Sequence, residues 1–165
     1  MKTIAFFGHR RIYSKSTVKE KLLEVLHSLI PQGYSKLLIG CHGEFDELAL
    51  STCLNYRKNF DKAINISVVL TSFTFLKKDE LGCSKVDYYK NKNCETLFYD
   101  IENVYYKNRI TVSNRKMVDN SDLIICYVDT TSYKSGAKNA ISYAIKQNKP
   151  IINLFNKEDM EIFNL

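Results

Sequence analysis

The chain has 165 residues, 45% of them apolar and 25% charged. That is enough for one domain with a sizeable core and too little for two ordinary ones, and the balance excludes disordered, collagen-like and disulfide-scaffold classes. The formal charge of +6 comes from basic residues scattered along the chain rather than gathered in one tract, which suits an anionic small molecule at least as well as a polyanion.

Thr3 to Phe7 is a short apolar run that enters a turn at Gly8 and predicts a buried strand. Ser14 and Ser16 are candidate N-caps for a helix whose apolar positions, Val18, Leu22, Leu23, Val25, Leu26, Leu29 and Ile30, recur at helical spacing until Pro31 and Gly33. A second strand is expected over Lys36 to Ile39, and a second helix with Phe45, Leu48, Ala49, Cys53, Leu54 and Tyr56 on its inner face. Asn65 to Leu70 is a third strand, β-branched and nearly continuously apolar, as strands covered on both faces are.

From 71 to about 107 the periodicity weakens and tyrosines accumulate, which predicts an excursion with short helices. Order returns with a helix over Arg109 to Val118, a strand over Asp122 to Val128, a helix over Ala137 to Gln147 and a strand over Lys149 to Leu154. The expectation is therefore one α/β domain spanning 1–165, a Rossmann-like three-layer α/β/α fold with a mainly parallel sheet of about five strands.

The five cysteines are odd in number and widely spaced, without a C-x-x-C pair, and read as free thiols of a reducing compartment. No apolar run reaches the roughly 18 residues of a membrane span, and the first strand leads straight into a turn without a cleavage pattern. A cytoplasmic protein without a membrane partner is expected.

Open parallel sheets bind ligands beyond the carboxyl ends of their strands, so the residues after each strand are the candidate site. Gly8, His9 and Arg10 follow the first strand: a turn with close backbone access and a cation for a phosphate, or simply a turn with a solvated basic corner. Gly40, Cys41, His42 and Gly43 repeat the arrangement after the second strand, with Phe45 beneath the turn and Asp46 available to ribose hydroxyls. Ser135 and Gly136 open the last helix, Ser135 doubling as its N-cap. Neither G-x-x-x-x-G-K-[ST] nor G-x-G-x-x-G occurs. Cys41, His42 and His9 lack a second ligand pair at zinc spacing, so neither a metal nor another cofactor is expected. His27 reads as a packing or surface residue. Glu44, Asp46 and Glu47 suit the positive end of a helix dipole, whatever else they do.

The segments IAFFGHR, LLIGCHGEFDELA, NRKMVDNSDLIICYVD and SGAKNAISYAIKQNKPI, in that order along most of the chain, resemble the SLOG superfamily. This group joins Smf/DprA DNA-processing proteins with cytokinin-activating phosphoribohydrolases, and the chain is most similar to its small YpsA-like bacterial branch. The resemblance implies a nucleotide-derived ligand and adds Asn114 and Arg115 to the candidate binding residues. In the phosphoribohydrolases an arginine and a glutamate act on the glycosidic bond. Arg115 resembles the arginine, with a shorter spacing to Met117, but Ala140 falls where the glutamate is expected, and Glu44 or Asp46 of the neighbouring turn are candidate substitutes. Alternatively, Arg115 is a surface cation paired with Asp119 at i+4.

The leading expectation is binding of a nucleotide-derived small molecule by a sensor, sequestering or regulatory module. The alternatives are a nucleoside 5′-monophosphate N-glycosidase using Arg115 with Glu44 or Asp46, and single-stranded nucleic-acid binding through the tyrosines between Tyr88 and Tyr106 with their interleaved lysines. Those tyrosines read more simply as packing over a sheet edge. A homodimer or higher homo-oligomer is expected from the aromatic-rich surface and from the resemblance.

Overall fold

The computed structural model describes residues 1–157. Six strands, β1 (Lys2–Gly8), β2 (Tyr34–Ile39), β3 (Asn65–Val69), β4 (Glu95–Leu97), β5 (Leu123–Tyr127) and β6 (Ile151–Asn153), form one sheet in the order β4-β3-β2-β1-β5-β6. Every pairing is parallel. The helices are α1 (Lys15–Leu29), α2 (Glu44–Asn59), α3 (Lys85–Asn91), α4 (Arg109–Asp119) and α5 (Gly136–Lys146). This is a Rossmann-like three-layer α/β/α fold. No helix among the described residues is long and apolar enough to cross a membrane.

Period-two alternation along strands buried on both faces builds the layers. Ile4 and Phe6 of β1, Leu37 and Ile39 of β2, Ile66 and Val68 of β3, and Leu123, Ile125 and Tyr127 of β5 pack with Val18, Leu22 and Leu26 of α1 and Phe45, Ala49 and Cys53 of α2. The intervening residues Ala5, Phe7, Leu38, Val69, Ile124 and Cys126 pack with Met117 and Val118 of α4 and Ala140, Ile141 and Ala144 of α5. The chain lays β1 to β4 toward one edge, then returns past β1 to add β5 and β6 on the other side. Strand order therefore reverses between β1 and β5.

The sheet has six strands rather than five, because β4 lies inside the 71–107 excursion. Glu-Thr-Leu carries no apolar run. It is held at the edge instead by its polar face, with Ser67 Oγ donating to Glu95 Oε2 at 3.0 Å and Asn65 Nδ2 to Glu95 Oε1 at 3.2 Å. Helix α3 precedes it, started by a reciprocal capping box between Ser84 and Asp87. Ser14 is the N-cap of α1, but its hydroxyl makes no capping bond; its backbone sits in the left-handed region at φ 52°, and its carbonyl accepts from the Val18 amide at 3.1 Å. All five cysteines are free.

Candidate functional site

At the carboxyl end of β1 the ladder with β5 continues one step, as the His9 amide donates to the Tyr127 carbonyl at 3.1 Å. The His9 ring then spans the same gap, its Nε2 accepting from the Asp129 amide at 2.8 Å. That bond requires a lone pair on Nε2. Burial lowers the pKa of His9 and outweighs the opposing pull of Asp129, so the neutral ring is favoured.

The turns after β1 and β2 are interlocked. The Glu44 amide donates to the Arg10 carbonyl at 3.0 Å, and a methyl group on Gly43 would lie 2.7 Å from Arg10 Cα, so only glycine allows this approach. Gly8 is explained by packing too. A Cβ there would fall within the ring of Phe45, which is fully buried and stacked on Tyr127 with centroids 6.1 Å apart. Gly8 and Phe45 thus fit together as floor and support of one turn.

Glu44 and Asp46, two residues apart at the start of α2, part company. Glu44 accepts from the Ile12 amide at 2.8 Å and from Lys15 Nζ at 3.1 Å, bonds that hold its pKa below the usual value. It braces the loop before α1 and lines no part of the cleft at the ends of β1 and β2. Asp46 accepts from the His42 amide at 2.8 Å through Oδ2, which also sits where a side chain on Gly40 would have to go. Burial, resisted by that hydrogen bond, pushes its carboxyl up to about 6.

The His42 ring lies 2.7 Å from Thr71 Oγ1 through Nε2, and burial followed by the charges of Arg10 and Lys85 lowers its pKa. Cys41 Sγ is 3.8 Å from the same nitrogen. Burial and then Asp46 push the Cys41 thiol up to about 11, which leaves it protonated at neutral pH and unsuited to nucleophilic attack. Among the described residues no three His, Cys, Asp or Glu side chains are grouped to hold a metal ion.

On the opposite wall, Ser135 accepts from the Lys138 amide at 3.1 Å as the N-cap of α5. These pieces enclose a cleft of about 510 Å³ over the point where strand order reverses. It brings together Gly8, His9, Arg10, Gly40, His42, Gly43, Asp46, Asn114, Ser135 and Gly136. Phe45 supports it from below, Cys41 stands behind His42, and Asp46 is the one carboxylate on its wall among the described residues.

Arg115 is not on that wall. Its guanidinium lies over the Tyr143 ring, 5.5 Å from the centroid, in a neighbouring depression that also contains Ala140. Asp119, the residue expected to pair with it, accepts from Tyr143 Oη at 2.9 Å instead. Ile110, Met117 and Ala137 complete the apolar side of the main cleft and were not expected there, although Ile110 and Met117 share the Asn114 face of α4 by their i−4 and i+3 spacing.

The tyrosines of the excursion divide. Tyr89 is buried in the core on the α1–α2 face of the sheet and Tyr99 packs against the core on the α4–α5 face, while Tyr88, Tyr105 and Tyr106 are exposed. Lys92 lies over the Tyr88 ring at 4.4 Å and Lys107 over Tyr106 at 5.9 Å, occupying faces that a stacked base would need. His27 packs edge-on against Tyr56 and Phe60, as a packing residue does.

No model of a known protein family matches the chain, and no curated protein matches it either.

Proposed function

We propose that the protein binds an anionic, nucleotide-derived small molecule in the cleft over β1, β2 and β5, as a sensor, sequestering or regulatory module. The observation that carries this reading is that α2 and α5 begin on opposite walls of one cleft, at Gly43 and at Ser135–Gly136, with Arg10 beside them. The first turn of a helix presents the positive end of its dipole, and although the Glu44 and Lys138 amides are engaged by the Arg10 carbonyl and Ser135, two such ends facing one cavity favour an anion. Gly8 brings the end of the β1 backbone to the cleft wall, and the Ile110 and Met117 side chains offer an apolar wall for a base or sugar. The resemblance to the SLOG superfamily supports the same ligand class. Self-association through the exposed aromatic surface belongs to this proposal, with sedimentation velocity as its check.

The test is calorimetric titration with adenosine and guanosine 5′-monophosphates, ribose 5-phosphate and inorganic phosphate. The reading requires binding of a nucleoside monophosphate, weakened about 10- to 100-fold in Arg10→Ala, as expected for loss of a charge-assisted hydrogen bond. If neither monophosphate binds at millimolar concentration, the proposal fails.

A second reading, N-glycosidic cleavage of a nucleoside monophosphate, is favoured by one feature: Asp46, with its carboxyl raised to about 6, is poised to exchange a proton near neutrality on the cleft wall. Glu44 has no place in it, since both its oxygens are engaged outside the cleft. Release of free base that disappears in Asp46→Asn would establish this activity, and absence of release by the unaltered protein would end it.

A further inference from the structure

The groove between α4 and α5 adjoins the main cleft. It is a depression of about 230 Å³ that shares Asn114 and Gly136 with the larger cavity, so one ligand can occupy both by passing over that neck. Its electrostatics differ from those of its neighbour. Among the described residues the walls hold two cations, Arg115 and Lys146, together with the amide of Asn139, and no carboxylate.

Arg115 is also held in place, with no carboxylate paired to it among the described residues. Its guanidinium rests on the face of Tyr143, whose hydroxyl is anchored by Asp119. A ring face steadies a guanidinium and leaves its N–H edge available for a forked contact with a phosphate or carboxylate. At the bottom lies Ala140, 3% exposed, too small to fill the depression and with no charge to oppose an anion. Arg57, by contrast, spends both its Nη groups on the carbonyls of Asn93 and Lys92, and Arg109, whose guanidinium lies 5.6 Å from the Phe73 centroid, gives its Nε to the Val104 carbonyl.

We propose that the groove between α4 and α5 is a second anion subsite, and that the ligand is a nucleotide bearing two separate anionic groups, one at the α2 and α5 N-termini and one at Arg115 and Lys146. This rests on the reading of the main cleft as a nucleotide site. Arg115 on this view anchors charge and takes no part in bond cleavage.

The experiment compares adenosine 5′-monophosphate with adenosine 3′,5′-bisphosphate and ADP-ribose, two probes whose second anion stands at different distances, by calorimetry on the full chain. At least one two-anion probe should bind about tenfold or more tightly than the monophosphate, the gain expected of a charge-assisted contact. Arg115→Ala should reduce that ratio to within about twofold of one, and Lys146→Ala should reduce it in part. Lys58→Ala, which removes an equal charge on α2 away from both cavities, should leave the ratio unchanged. Arg115 and Lys146 are exposed, so both variants are expected to fold.

If the monophosphate binds and neither two-anion probe binds more tightly, the second subsite is overturned while the main cleft stands. A gain that survives Arg115→Ala, or that Lys58→Ala removes equally, overturns it as well. If no probe binds, the cleft reading fails first and this inference falls with it.

Discussion

Asp46 sets up the sharpest test of the cleft, because it links a buried charge to stability as a function of pH. Its ordinary pKa of 3.8 is raised to about 6, chiefly by burial. A proton held more tightly in the folded chain than in the unfolded one favours folding wherever it is bound. That contribution is complete below about pH 4 and is lost as the pH rises through about 6, so the ionised carboxylate is a cost at neutral pH and above. The interval from 3.8 to about 6 corresponds to about 3 kcal/mol at about 1.4 kcal/mol per pH unit, an upper bound for a side chain that borders an open cleft.

Asp46→Asn removes the charge and keeps an oxygen to accept from the His42 amide. The variant should exceed the parent by about 1–3 kcal/mol at pH 8, a rise in Tm of roughly 3–10 °C for a chain of this size, and the gap should close by pH 4. Thermal denaturation followed by circular dichroism between pH 4 and pH 8 measures it. The same offset at both ends of the range, or a less stable variant at pH 8, would refute the reasoning.

Other outcomes follow from the same geometry. Gly8→Ala should cost about 2–3 kcal/mol through overpacking against the Phe45 ring, and Phe45→Leu in the same chain should recover part of it; urea unfolding checks both. In Gly43→Ala the new methyl meets Arg10 Cα at 2.7 Å, so the turns after β1 and β2 must separate; stability should fall and, if the proposed function holds, nucleotide affinity with it. Ellman's reagent at pH 8 should label exposed Cys83 first, with buried Cys53, Cys94 and Cys126 and the protonated Cys41 reacting only on unfolding. Peptide mass mapping that found Cys41 modified as fast as Cys83 would show a thiolate there. Ser84→Ala should lower stability by about 1 kcal/mol through loss of the α3 cap, seen as faster amide exchange confined to α3.

The strands buried on both faces were legible because their apolar runs are nearly unbroken: TIAFF, ISVVL and LIICY have no solvent side to mark with alternating polar residues, and Ser67 within the second is itself buried. β4 was not, since an edge strand of Glu-Thr-Leu held by side-chain hydrogen bonds leaves no trace in hydrophobic periodicity. The turns at the ends of β1 and β2 could be found from glycines in the right places, though the reason for those glycines could not. Gly8 yields to Phe45 and Gly43 yields to Arg10, contacts between residues more than 30 positions apart.

The assignment of Glu44 and Asp46 shows where one-dimensional reasoning stops. Residues two apart on a helix point about 200° from one another, so these carboxylates cannot both serve one cleft. The buried series Phe45, Ala49, Cys53 and Tyr56 fixes the inward face of α2 and puts the two acids on opposite flanks. Which flank meets ligand depends on what stands beside β1, and only the reversal between β1 and β5 decides that: α5 and α4 arrive on the Asp46 side, while the loop before α1 takes Glu44. The same rule separates Asn114 from Arg115. As immediate neighbours on α4 they point about 100° apart, which leaves Asn114 at the border of the main cleft and the groove and Arg115 in the groove alone.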